Sequence, residues 1–240
     1  MSHYANVINI GLEHPSVKQV IEIAEEILND KKILNIDTLY YRAKKRLKIP
    51  RKGLNIIIQF LINSKILVNR SKFTRRTVLS NTTRKIIYKL IQNNIGSHFS
   101  LIKKLGISKD LPGSSGELIW HLDMLIKFNY IKKLKLKNYA IFIPFDIDDE
   151  SGKIYFLLQD ELYGKIITHF MSSDSLDRSQ IYKSIGESRE TIYYRIKNLI
   201  EFHILEVLDE NKVRINPLKK EIVLDVLNQK NNNRVLEYSE

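Results

Sequence analysis

The stretch SGELIWHLDMLIKFNYIKK, residues 115–133, sets Leu118, Leu122, Leu125 and Ile126 at spacings of four, three and one. That is one face of an α-helix. At about 100° per residue Ile119 falls near 100° from Leu118 and Trp120 near 200°, roughly opposite the apolar stripe. The tryptophan therefore points outward, where it either meets a partner or packs on another part of the chain.

The same pattern occurs twice more. At an offset of 74, Ile196, Leu199, Ile200, Phe202 and Leu205 stand where Leu122, Leu125, Ile126, Phe128 and Ile131 stand. At an offset of 64 upstream, Leu54, Ile58, Leu61, Ile62 and Leu67 take the places of Leu118, Leu122, Leu125, Ile126 and Ile131. Each copy follows a longer helical pattern and a shorter one, as in TTRKIIYKLIQNNIGSHFSLIKKLGIS, with Ser100, Asp37 and either Asp177 or Ser179 as N-caps of the shorter helices. Each copy precedes a β-ribbon candidate: KILVNRSKFTRRTVLS, YIKKLKLKNYAIFIP and ILEVLDENKVRINP. Three helices and a hairpin in about 65 residues is the winged helix-turn-helix plan, the hairpin being the wing. The predicted fold is mainly α with small β-hairpin wings (α+β), in three tandem winged helix-turn-helix domains. Their expected bounds are 1–80, 81–146 and 155–218. Residues 147–154 read as a linker carrying the acidic Asp148, Asp149 and Glu150, and 219–240 as a short helix with a polar tail.

Charge divides the chain. Residues 1–80 carry +9 and residues 81–146 carry +7, whereas residues 147–240 carry −4. The first two-thirds suits a polyanion, and the last third does not. The 240 residues contain no cysteine, which excludes disulfides and thiolate metal sites. The apolar runs are too broken for a membrane span, and MSHYANVINIGLEHPS lacks a secretory pattern, so a cytoplasmic protein is expected. The six histidines are scattered without metal-ligand spacing, and no Gly-rich phosphate loop or GxSxG is present. An enzyme is not expected, and no metal or cofactor is implied.

Residues 82–218 resemble archaeal winged-helix transcriptional regulators with tandem helix-turn-helix domains, of the MarR/ArsR-like kind. The resemblance lies in TRKIIYKLIQNNIGSHFSLIKKLGIS, GELIWHLDMLIKFNYIKK, NYAIFIP and SRETIYYRIKNLIEFHIL. It departs from their pattern at KDLPGS, an insertion at 109–114 that lengthens the turn before the third helix. It implies double-stranded DNA as partner and third helices lying in the major groove; a homodimer is expected because one small reading head gives limited specificity and symmetric half-sites add to it.

In that reading Ser115, Glu117, Ile119 and Trp120 face the groove, and His121 is either structural or a phosphate contact. Trp120 alternatively packs on the 109–114 loop or a neighbouring domain. The first copy offers Arg51, Lys52 and Asn55, suited to guanine O6/N7 and adenine N6/N7. The third offers Arg189 and Tyr193. Lys72, Arg75 and Arg76 on the first wing, and Lys132, Lys133, Lys135 and Lys137 on the second, suit phosphates. The third wing, EVLDENK, is acidic, so domain 3 is expected to serve dimerisation or a protein partner. A protein-interaction scaffold and a non-specific chromatin protein are the competing readings.

Overall fold

A computed structural model of the chain describes residues 11–107, 111, 114–171, 173 and 175–237, and side chains as far as Asn228. Over the described residues the chain is mainly helical and carries two small antiparallel sheets, each of three strands. It divides into two compact units: residues 1–93 with 99–133, and residues 94–98 with 134–240.

In the first unit, α1 (Pro15–Lys31) opens with Pro15 in its first turn and with His14 accepting the Ser16 N–H. Helix α2 (Ile36–Arg46) is capped by Asn35, whose side chain accepts from the Thr38 N–H at 2.9 Å. Asp37, the expected cap, instead lies in the first turn, where its charge complements the helix dipole. Four residues, Leu47–Pro50, lead into α3 (Arg51–Asn63). Val20, Ala24, Ile27, Leu39, Ala43, Leu54 and Leu61 form the core that joins the three helices.

The first hairpin is absent. Residues 64–74 are irregular, and α4 (Arg75–Val78) occupies the place of the expected return strand. The cause is local. Thr74 and Thr77 form a reciprocal capping box, which starts a helical turn where a strand was expected. All that remains of a sheet is Leu34, which exchanges backbone hydrogen bonds with Arg70 and Ser71 at 2.7 and 2.9 Å.

Helix α5 (Thr82–Asn93) packs against α6 (Phe99–Ile107) and α7 (Ser115–Lys127), burying Ile87, Leu90, Ile91, Ile102, Leu118, Leu122 and Leu125. Most of KDLPGS lies outside the described residues. Leu111 bonds back to the Gly106 carbonyl, and Ser114 caps α7.

The second unit contains β1 (Ser97–His98), β3 (Tyr139–Pro144) and the second half of β2 (Ile131–Leu136), in the order β1-β3-β2. Gly96 precedes β1 at φ +82°, and a Cβ there would lie 2.8 Å from the Phe156 backbone nitrogen, so only glycine fits. The expected linker is no linker. Asp148 accepts from the Glu150 and Ser151 N–H groups and starts α8 (Asp149–Gln159). There follow α9 (Glu161–Met171), β4 (Leu176–Asp177), α10 (Arg178–Ile185), α11 (Arg189–Glu201), β5 (Leu205–Val207) and β6 (Lys212–Ile215). Asp177 caps α10, and the strands run β4-β6-β5 with Val207 opposite Val213. Helix α12 (Lys220–Glu237) is longer than the short segment expected and returns Val223 and Val226 to the core.

Three helices share one form. α3, α7 and α11 each have 13 residues. Each ends in a left-handed residue: Lys65 (φ 55°), Asn129 (φ 54°) and His203 (φ 56°). The next residue in each case donates its N–H to the carbonyl of the helix's last buried leucine: Ile66 to Leu61, Tyr130 to Leu125 and Ile204 to Leu199. Such closures satisfy the carbonyls a helix end leaves open and turn the chain back onto its core.

Candidate nucleic-acid interface

Helix α3 buries Leu54, Ile57, Ile58 and Leu61 and exposes Arg51, Lys52, Asn55, Ile56, Gln59 and Asn63. Arg51, Asn55 and Gln59 are four apart, so they form a row of about 12 Å along the outer face. Gln59 escaped the sequence reading, although its spacing from Asn55 would have revealed it; its amide donates to Asn63 at 2.8 Å. Pro50, at the N-cap, has no side chain able to accept a hydrogen bond, so the first-turn N–H groups remain open beside two cations. A helix start of this kind favours phosphate.

The end of α2 adds Lys44 and Lys45, both exposed, with Lys48 following. Neighbouring arginines serve the fold instead: Arg42 pairs with Asp30 at 2.9 Å, and Arg46 pairs with Glu26. The cations left around α2 and α3 lie on both sides of the Leu47–Pro50 turn. One helix thus offers polar groups able to reach base edges, with lysines beside it for the backbone.

The other expected residues scatter. Lys72 is exposed in the irregular 64–74 segment. Arg75 and Arg76 lie on α4, not on a strand, because the Thr74 cap made that segment helical. Arg75 donates to the Asn129 carbonyl at 3.2 Å and stacks on Tyr130, while Arg76 pairs with Glu25 at 2.6 Å. Both therefore bind this chain rather than standing out as wing cations.

On α7, Ser115, Glu117, Ile119 and Trp120 are exposed, Trp120 by 50%. Ser115 accepts from the Lys103 ammonium at 3.0 Å. The Trp120 ring lies 5.4 Å from the Arg84 guanidinium of α5, which Phe73 also flanks at 4.7 Å. Arg84 is buried and bonds the Val78 carbonyl at 2.7 Å, so it is a fixed structural cation. His121 is only 3% exposed, which excludes it as a phosphate contact. Leu118 and Leu122, on the same stripe, drew it inward; burial and the nearby Arg84 push its pKa below the ordinary 6.5, against a smaller opposing pull from Glu117.

Along β2, Lys133 and Lys135 are exposed on one side and Lys132 is half-buried. Lys137 is engaged rather than available: its ammonium donates to Asn198 and pairs with Glu201 at 2.8 Å. On α11, the Arg189 guanidinium lies 5.0 Å from the Tyr193 ring, beside the exposed Glu190. Among the described residues no group of three or more His, Asp or Glu side chains could hold a metal ion. None of the described helices is long and apolar enough to cross a membrane.

No family model matches the chain. Over 133 residues it is 32% identical to an uncharacterized HTH-type transcriptional regulator of Methanocaldococcus jannaschii. The match covers 55% of this chain and 32% of that protein, so the chain spans about a third of its relative's length. What is shared, over about half of the chain, is similarity to a protein of the helix-turn-helix class.

Proposed function

We propose that the chain is a DNA-binding transcriptional regulator whose duplex-reading element is the α2–α3 pair. The observation that carries this reading is the outer face of α3. Arg51, Asn55 and Gln59 stand in line on a helix whose uncapped start and flanking lysines suit phosphate. Arg51 is suited to guanine, and Asn55 and Gln59 to adenine. Lys44, Lys45, Lys48 and Lys52 supply sequence-independent affinity, with Lys133 and Lys135 of β2 adding to it.

The element orders α5-β1-α6-α7-β2-β3 and α9-β4-α10-α11-β5-β6 support winged helices in the middle and last thirds. The first third is then a helix-turn-helix without its wing. Two copies of the chain would present two α3 helices to symmetric half-sites, as a homodimer. A protein-docking role is favoured only at α7, where Ile119 and Trp120 are exposed beside Glu117 and Asp123.

Selection of bound duplexes from a random pool, with a salt titration of the winners, tests the reading. A recovered motif, lost when Arg51 and Asn55 are replaced by alanine, is the expected result. Binding without a motif replaces the regulator with a sequence-indifferent DNA packer, and absence of binding favours the docking role.

A further inference from the structure

A second site lies in the first unit, away from the outer face of α3. Between α1 and the segment that leads into α4 is a cleft of about 590 Å³, within the roughly 300–1,000 Å³ of small-molecule sites. Its wall is apolar at Ile21 and Ile66, and the Tyr130 ring closes one side. Opposite charges face each other across that wall. Glu22 and Glu25 come from α1, and Arg75 and Arg76 from α4; a further pair, Lys18 and Glu13, sits at the exposed rim.

The two arginines differ in what they still offer. Arg76 is committed to Glu25 through one nitrogen, at 2.6 Å. Arg75 gives one nitrogen to the Asn129 carbonyl, is stacked on Tyr130, and keeps further N–H donors of its planar fork. Its ring partner is itself pinned, since the Tyr130 hydroxyl donates to the Arg75 carbonyl at 2.7 Å. The guanidinium is therefore pre-positioned, which is the condition for holding a carboxylate. On the other side, Glu25 has one oxygen on Arg76 and a second, Oε1, that is buried without a hydrogen-bond partner. An acceptor left in that state is costly, and a turn of the Glu25 side chain that opens it to the cleft lets an ammonium satisfy it.

Equal numbers of acids and bases around an apolar wall disfavour a ligand of one charge, which would be desolvated with only half the lining to match it. They fit a ligand that carries both charges close together and an apolar arm. We infer that this cleft binds a zwitterionic α-amino acid with an apolar or aromatic side chain. Its carboxylate meets Arg75, its ammonium meets Glu25 and Glu22, and its side chain lies on Ile21 and Ile66. Nothing in this site depends on DNA reading by α3.

Titration calorimetry and thermal melts of the full chain test it with L-leucine, L-phenylalanine, 3-phenylpropanoate and 2-phenylethylamine. At least one of the two amino acids should bind and raise the melting temperature. The deaminated acid and the decarboxylated amine, each missing one charge, should bind about tenfold more weakly or worse. Glu25→Gln and Glu22→Gln, each melting as a folded protein, should lower the affinity of the bound amino acid, Glu25→Gln by about tenfold. Failure of both amino acids to bind overturns the inference. So does an acid or amine that binds as well as the amino acid, or binding that ignores both glutamine variants.

Discussion

Helices α3 and α7 are the same object with different surfaces. Both have 13 residues, both end on a left-handed residue, and both bury leucine at the same three points except that Ile58 stands for Leu122. Outside, α3 shows Arg51, Lys52, Asn55 and Gln59, and α7 shows Glu117, Ile119, Trp120 and Asp123. The buried positions fix where each helix begins, turns and stops. The exposed ones are not bound by that requirement, so one scaffold carries a cationic and amide-bearing face on α3 and, on α7, a face that is apolar and acidic. The difference teaches that equivalence of framework is no guide to equivalence of surface.

The sharpest way to break the comparison is at α3. Arg51→Ala and Asn55→Ala should each weaken binding to the selected duplex by about 1–3 kcal/mol, or roughly 5–150-fold, and relax preference at separate positions. Melting temperatures should barely change, because both side chains are exposed. Glu117→Ala and Asp123→Ala on α7 should leave the same isotherms unchanged. Equal losses from both helices, measured on one set of duplexes, would mean that both read DNA.

The framework half of this contrast was legible in the sequence, because burial imposes periodicity. The stripe Leu118, Leu122, Leu125 and its counterparts placed all three helices, and the cap of α10 could be narrowed to Asp177 or Ser179, of which Asp177 serves. Two other features were legible only in part. The first wing failed because Thr74 and Thr77 satisfy each other's backbone at short range, a preference that outweighs the strand tendency of the residues around them. His121 was open to a structural or a phosphate-contacting role; its angle of about 40° from Leu125 already put it at the edge of the stripe. The cleft beside Tyr130 was not legible at all. It brings Glu25 to Arg76 and Arg75 to Tyr130 across more than fifty residues, and no local pattern reports such a meeting.

A smaller effect tests whether framework and surface are separable. Asp148 caps α8 in the second unit, and its carboxyl is held below the ordinary 3.8, first by the Ser151 hydroxyl and then by backbone N–H groups. Asp148→Ala should cost about 1 kcal/mol of stability. It should leave duplex affinity alone. Because the folded carboxyl titrates lower than the unfolded one, its contribution is present above pH 3.8 and fades as the pH falls through the depressed value. Melts of the wild type and of Asp148→Asn between pH 5 and pH 3 should therefore converge.

His121 moves in the same direction at a higher pH. Its folded pKa lies below 6.5, through burial first and Arg84 second, so the folded state resists protonation. Stability from this group is complete above pH 6.5 and is lost as the pH falls from there through the lowered value. Lowering the pH from 7 to 5 should destabilise the first unit, and His121→Gln should flatten that dependence whatever it costs at pH 7. A wild-type melt that does not change over this interval would place the imidazole in contact with water.

The finest test is Trp120→Ala, since this residue decides what α7 is for. The ring is 50% exposed, so no core cavity opens on its removal, and the loss of 3–5 kcal/mol typical of a buried large aromatic is not expected. What disappears is its stack on Arg84, an attraction of about 0.5–1 kcal/mol at a partly exposed site. Arg84 keeps its bond to Val78 and its stack on Phe73, so the guanidinium stays in place. The melt should fall by a few degrees at most. Duplex affinity should stay within about twofold, since the neighbouring Glu117 and Asp123 repel phosphate and RT ln 2 is only about 0.4 kcal/mol. A larger loss of affinity with an unchanged melt would show that the indole reaches the duplex, and the two helices would then share a partner as well as a framework.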